Sequence, residues 1–138
     1  MKISTKGRYG LRILLDLARH PEPELRLIRD IAASQQISEK YISRLVVELR
    51  RAGLLLSIRG AKGGFRLAIP PEAISVLSVI EAMEGPTSIV DCVLAPAGCL
   101  RSKRCAARSV WTKLNAAIRD SMNQVTLADL LEDPESTK

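Results

Sequence analysis

A chain of 138 residues has room for one domain, or a small domain carrying an appendage, and a large multidomain enzyme is excluded. Hydrophobic residues make up 46% of it but aromatics only 3%, so the core must be built from Leu, Ile, Val and Ala, which suits packed helices better than an all-β sandwich. The net charge of +6 is unevenly placed: residues 1–66 hold 14 Lys/Arg against 6 Asp/Glu, net +8, while residues 67–138 hold 7 against 9, net −2, so the front half is the one that attracts a polyphosphate.

From Ser4 to about Arg19, the residues Tyr9, Ile13, Leu14, Leu17 and Ala18 recur at helical spacing. Ser4 caps the start of this helix and His20-Pro21 ends it. After the loop Pro21-Glu22-Pro23-Glu24, a second helix over Leu27–Gln35 presents Ile28, Ile31 and Ala32 on one face. A very short turn at Gln36-Ile37 leads to Ser38, the N-cap of a third helix that runs to Ala52 and is stopped by Gly53. This helix buries Ile42, Leu45, Val46 and Leu49 and leaves Glu39, Lys40, Tyr41, Ser43 and Arg44 outside. Two strand-like runs, 54–58 and 65–69, flank a glycine-rich tip from Arg59 to Gly64 and form a hairpin. Helix, helix, helix, hairpin is the order of a winged helix-turn-helix, so the expected fold is mainly α with a small β-hairpin wing.

Pro70-Pro71 closes that unit and divides the chain into residues 1–70, a DNA-binding domain, and 71–138, a connecting helix, a cysteine loop and a dimerisation helix. The connecting helix is expected over Glu72–Glu84, with Ile74, Leu77, Ile80 and Met83 aligned and Gly85-Pro86 ending it. An irregular stretch, Thr87–Arg104, holds Cys92 and Cys99, with Cys105 at its end. A long helix from about Ala106 to Asn123 follows, whose stripe of Trp111, Leu114, Ile118 and Met122 can form the seam of a helix pair. Thr126–Leu131 adds a short last turn, and the tail from Glu132 is expected to fray. No apolar run approaches the roughly 20 residues that cross a bilayer, and the start lacks the apolar stretch of a signal peptide; a cytoplasmic chain without a membrane partner is expected.

A recognition helix works because its first turns and exposed face enter the major groove, where bases display distinct donor and acceptor patterns. Ser38, Lys40, Tyr41, Ser43 and Arg44 occupy that position, the bland alternative being a solvated helix face. Arg59 and Lys62 sit on a glycine-rich tip whose thin backbone can approach a phosphate or a narrow minor groove, with Arg59 the preferred minor-groove residue. Gly60, Gly63 and Gly64 serve turn geometry, since the Lys-Ser/Thr and helix of a phosphate loop are missing. Lys2, Lys6, Arg8 and Arg12 around the first helix, and Arg50 and Arg51, are candidates for sugar-phosphate contact, each weighed against simple solvation. A winged-helix module that binds only protein is the alternative of a different class. No acid-base pair, nucleophile constellation or nucleotide loop points to an enzyme.

Three cysteines are an odd number for a disulfide framework. Cys92, Cys99 and Cys105, spaced x6 and x5 around Pro96 and Gly98, offer soft thiolate ligands suited to an Fe-S cluster, zinc or Cu(I). Arg101, Lys103 and Arg104 would offset the charge of a thiolate-ligated cluster and would equally activate free thiols toward oxidation. A fourth ligand is not evident. The single histidine, His20, lies at a distant helix end, and Asp91, Glu81 and Glu84 are the nearby oxygen donors.

The start Met1-Lys2-Ile3-Ser4-Thr5-Lys6-Gly7-Arg8-Tyr9, the run Ile37-Ser38-x-x-Tyr41-Ile42-x-x-Leu45, the wing Ser57-Ile58-Arg59-Gly60-x-x-Gly63-Gly64-Phe65-x-Leu67 and the cysteine trio followed by Trp111 together resemble the IscR/NsrR/CymR family, the Rrf-two superfamily, over nearly the whole chain. The resemblance implies a homodimer whose long carboxy-terminal helices cross, two winged units reading a palindromic operator in double-stranded DNA, and an iron-sulfur cluster on the three cysteines, 2Fe-2S ahead of 4Fe-4S. It further implies a repressor or dual regulator in which cluster state sets DNA affinity. By position it puts Ser38, Lys40, Tyr41 and Ser43 on the recognition helix and Arg59 on the wing, with Ser43 standing where IscR-like members carry an acidic residue. The histidine ligand of IscR-like members is replaced by Arg108, and the amino-terminal acidic ligand of NsrR-like members by Arg8. CymR-like members dispense with the cluster, so control by thiols, by zinc or by a regulatory partner protein is the alternative.

Overall fold

The structure, a computed structural model, describes residues 2–137; Met1, at the head of the family-like amino-terminal motif, and Lys138 lie outside the described residues. Helix α1 spans Thr5–Ala18, and the Ser4 Oγ accepts the Gly7 N–H at 3.3 Å, meeting one of the donors that a helix start leaves open. Helix α2 spans Ile28–Gln35 and ends at Gln36, whose left-handed backbone (φ 56°, ψ 46°) reverses the chain within one residue. Helix α3 follows over Glu39–Arg51, with the Ser38 Oγ accepting from the Tyr41 N–H at 3.2 Å, Arg50 and Arg51 in its last turn against the negative end of the helix dipole, and Gly53 at φ 77° beyond it.

Strands β1 (Leu55–Ile58) and β2 (Gly64–Leu67) pair antiparallel, Leu55 opposite Leu67 and Ile58 opposite Gly64. The wing is not free-standing. Arg26, in the loop before α2, exchanges both backbone hydrogen bonds with Phe65, at 2.9 and 2.7 Å, and so adds a one-residue third strand. This close approach dictates Gly64: its φ is +157°, and a Cβ there would lie 2.8 Å from the Arg26 carbonyl oxygen.

The connecting helix expected over Glu72–Glu84 is shorter and begins later. Pro71–Ala73 form a 3-10 turn, Ile74 is extended, and α4 runs only over Val76–Glu84 behind a Ser75 cap. The cause is a long-range pairing that the local periodicity could not contain: the Leu127 N–H donates to the Ile74 carbonyl at 3.0 Å and the Val76 N–H to the Val125 carbonyl at 2.8 Å. Ile74 and Leu127 are both fully buried, so the apolar burial gained there outweighs another turn of helix. The cysteine stretch is also more ordered than expected, with a single-turn helix α5 at Asp91–Leu94 and a 3-10 turn at Pro96–Gly98. Helix α6 spans Ala106–Gln124; α7, Leu127–Glu132, is fixed by a Thr126/Asp129 capping box; and Pro134–Thr137 make a 3-10 turn where a frayed tail was expected.

Ile13, Leu14 and Leu17 of α1 lie at the centre of one core that also takes in Ile42, Leu45 and Leu49 of α3, Leu55 of β1, Val79 and Met83 of α4, Ile74 and Leu127. Residues on both sides of position 70 therefore share it. Gly7 and Gly10 let α1 and α4 approach closely, since a Cβ at Gly10 would meet the Met83 Cγ at 2.8 Å. Beside them Glu84 accepts hydrogen bonds from the Ser4 N–H (2.7 Å) and Oγ–H (2.6 Å), joining the last turn of α4 to the first of α1. No helix among the described residues is long and apolar enough to cross a membrane.

Candidate nucleic-acid interface and cysteine segment

Helix α3 buries Ile42, Leu45, Val46 and Leu49 as its periodicity requires, which turns Ser38, Lys40 and Arg44 to solvent. Tyr41 and Ser43 are only half-exposed. The Tyr41 ring packs edge-on against Tyr9 of α1, centroids 5.7 Å apart at 72°, and the Ser43 hydroxyl donates to the Glu39 carbonyl at 2.8 Å. Tyr41 thus has a structural task in fixing α3 on α1, and the Ser43 donor is already engaged within its own helix. Arg59 and Lys62 are both exposed at the tip of the wing, where the Gly63 N–H donates to the Gly60 carbonyl at 3.0 Å, the turn role expected of these glycines.

Lys2 is exposed beside the start of α1. The other basic residues of α1 are tied within the protein: Lys6 pairs with Glu48 of α3 at 2.6 Å, Arg8 donates to the Thr5 hydroxyl at 3.1 Å, and Arg12 bonds the Gln35 side chain at 3.1 Å and its carbonyl while lying 5.3 Å from the Tyr9 ring centroid. The Lys6 and Arg12 contacts dock the helix-turn-helix pair against α1, whereas the Arg8 bond stays within α1.

Sequence reasoning missed the group that holds the wing. Asp16 of α1, 3% exposed, receives Arg26 through Nε at 3.0 Å and Nη2 at 3.2 Å, and the Ser34 hydroxyl at 2.7 Å. A signal was available in an acid set within the stripe Ile13, Leu14, Leu17. The hydrogen bond to Asp16 raises the Arg26 pKa above the ordinary arginine value; desolvation opposes this, and the charges of Asp16, Asp30 and Glu24 add to it. A raised folded-state pKa contributes stability that is present below the unfolded value and lost only above it, so Arg26 stays charged and paired throughout the neutral range.

Among the described residues no group of three or more His, Cys, Asp or Glu is gathered in metal-binding geometry. Cys92 sits half-buried on α5, whereas Cys99 and Cys105 are exposed, and all three thiols are free. Cys99 and Cys105 share a cleft of about 620 Å³ with Arg101 and Arg104, and Cys99 also lines a second of about 640 Å³ with Lys103 and Arg108. The donor chemistry, three thiols among four basic side chains, fits a soft metal or an anionic cluster, and Cys92 is the thiol that stands apart. Arg108 donates through Nε to the Cys92 carbonyl at 3.3 Å, linking α6 to α5. Asn115, the buried residue of α6, accepts the Ile89 N–H at 3.2 Å and anchors the segment from its other side. Of the stripe on α6, Trp111 (38% exposed) and Leu114 (45%) remain open, beside Val110, whereas Ile118 and Met122 are half-buried.

Residues 3–133 match the Rrf2 family model, described as an iron-dependent transcriptional regulator. The chain is 41% identical over 133 residues to protein rrf2 of Nitratidesulfovibrio vulgaris, covering 96% of this chain and 89% of the relative, and 40% identical over 130 residues to the transcriptional regulator CymR of Bacillus subtilis, covering 94% and 89%. The solved structure of that CymR, the global cysteine regulator of B. subtilis, superposes with a TM-score of 0.82 over 94% of this chain and 95% of that one at 39% identity. T. potens IscR superposes with a TM-score of 0.79 over 100% and 91% at 36% identity. The hairpin beside α3 is accordingly the wing of a winged helix-turn-helix, and the chain belongs to the Rrf2 family of transcriptional regulators, not to a class of enzymes.

Proposed function

We propose that this regulator reads a palindromic operator in double-stranded DNA as a homodimer, and that its operator affinity is set by an iron-sulfur cluster held by Cys92, Cys99 and Cys105. The observation that carries the reading is three free thiols on one segment that is hydrogen-bonded to α6 at Ile89 and Cys92 and runs into it at Cys105, in a chain whose α3 and wing tip present Lys40, Arg44, Arg59 and Lys62 to solvent. Ser38, Lys40 and Arg44 supply donors for base edges and phosphates, Tyr41 and Ser43 border the same face, Arg59 enters the minor groove, and Lys2 and Lys62 neutralise phosphates. The open face of Val110, Trp111 and Leu114 is where a second copy packs. Such a regulator works in the cytoplasm, beside its DNA.

When bound, an iron-sulfur cluster supplies reversible chemistry that small oxidants can reach. The protein's own part is to fasten the start of the cysteine segment to α6 through Arg108 and Asn115, so that a change at the thiols alters the order of residues 89–105 and, through Gly85-Pro86 and Glu84, the start of α1. A coupling of about 1–3 kcal/mol is enough to change operator occupancy usefully. A second reading has an observation in its favour: Cys99 and Cys105 share a cleft that excludes Cys92, which suits a thiol, zinc or partner-protein switch.

The test is protein purified without oxygen, with its visible spectrum, iron, sulfide and zinc measured beside its affinity for a duplex selected from a random pool, and repeated on Cys92→Ala. A brown, iron- and sulfide-containing protein that loses both colour and regulated binding in the variant is expected. Colourless, iron-free protein that resists reconstitution yet changes affinity on thiol oxidation would move control to the cysteines alone.

A further inference from the structure

Away from the cysteine segment, a cleft of about 390 Å³ opens between the end of α1, the loop after it and the root of the wing. That volume falls in the lower part of the range of small-molecule sites, about 300–1,000 Å³. Its walls are Leu17, Ala18, Leu67, Ile69, Pro70 and Pro71, a set without an aromatic ring. Ile69 remains 39% exposed, and neither proline can offer an N–H to water. The polar groups are few. Arg66 binds the Glu22 carboxylate through Nη1, while its Nε–H is buried with no hydrogen-bond partner. An unmet donor of that kind is costly, and it stands beside an apolar surface large enough for a ligand's side chain. His20 completes the lining, its ring held through Nδ1 against the Asp16 carbonyl at 2.8 Å.

We propose that this cleft binds a free α-amino acid with a branched apolar side chain, its carboxylate on Arg66, its ammonium on Glu22 and its side chain against Leu67, Ile69 and the proline pair. Charge decides between ligand classes. A simple fatty acid would meet Arg66 but be repelled by Glu22, an amine the reverse, whereas a zwitterion lets both members of the ion pair keep an opposite charge. The absence of Phe, Tyr and Trp from the walls and the small volume favour an aliphatic side chain over an indole or phenyl ring. Because Arg66 to Ile69 continue directly from the wing, occupancy would bridge α1 to the root of the hairpin that carries Arg59 and Lys62. The binding site does not depend on the cluster reading and is tested without DNA.

The experiment is calorimetric and NMR titration of the whole chain with L-leucine, 4-methylpentanoate and 3-methylbutylamine, on wild type, Arg66→Gln and Glu22→Gln. L-Leucine is expected to bind with a Kd of about 1 mM or below, within reach of so small a ligand, and to shift the amides of residues 66–69. The two analogues, each lacking one charge, should bind at least about tenfold more weakly, and each variant should lose about tenfold toward L-leucine. Glu22 lies on an exposed loop, so its variant tests the site even if Arg66→Gln destabilises the fold. No shift at residues 66–69 with L-leucine, L-isoleucine or L-valine at about 10 mM, or equal affinity for the uncharged-end analogues, would overturn the proposal.

Discussion

At Asp16 and Arg26 one buried ion pair decides where the wing stands. Asp16 is nearly inaccessible, so Arg26→Ala leaves a charge without its partner in a place where charge is costly, with only the Ser34 hydroxyl remaining. A loss of about 3 kcal/mol in urea unfolding is expected, and a loss under about 1 kcal/mol would show that the pair is dispensable. Gly64→Ala should cost about 1–3 kcal/mol, through its positive φ and through the Arg26 carbonyl that a methyl group would strike. At the tip of the wing, the minor-groove role proposed for Arg59 gives Arg59→Ala a distinctive signature. Binding to the selected operator should fall about tenfold more than binding to random duplex in fluorescence anisotropy; equal losses on both would reduce Arg59 to a phosphate contact.

Helix α6 buries little within its own chain, yet Val110, Trp111 and Leu114 line one side of it at the spacing of a helix seam. Leu114→Glu should therefore convert a dimer to a monomer by light scattering while leaving the helical circular dichroism of the monomer intact. A dimer that persists would place the interface elsewhere. The same helix restrains the cysteine segment from within, through the Asn115 side chain and the Ile89 N–H. In Asn115→Ala a hydrogen bond worth about 1 kcal/mol is lost, so amide hydrogen exchange over residues 87–92 should accelerate while α1 to α3 remain protected. Asn115 could not be picked out from its sequence neighbours, because its hydrogen-bond partner, Ile89, lies in a bend 26 positions earlier.

Across the whole molecule, a core that runs from Ile13 through Ile42 and Val79 to Leu127 ties the reading head to the connecting helix. Unfolding followed by Trp111 fluorescence, a probe on α6, should coincide with unfolding followed by far-ultraviolet circular dichroism; separated transitions would show that the cysteine half melts alone. Glu84, placed between the Ser4 cap and Gly85-Pro86, gives a covalent and hydrogen-bonded route from the cysteine segment to the amino-terminal end of α1.

Local pattern was enough for the three helices, the hairpin and the long terminal helix, because apolar spacing, N-cap serines and glycine stops are written within a few residues of where they act. It also sufficed to find the exposed basic residues of α3 and the wing, since whichever face is not apolar must face water. It could not foresee the extended Ile74, the Arg26 bridge to Phe65 or the engagement of Lys6 and Arg12 by Glu48 and Gln35. Each of those rests on a partner 23 to 53 residues distant, and each replaces a local preference with a contact only the folded chain supplies. The cysteines mark the same boundary: their type and spacing announce soft-ligand chemistry, whereas the distribution of two thiols in one cleft and the third on α5 follows from how α6 packs against that segment.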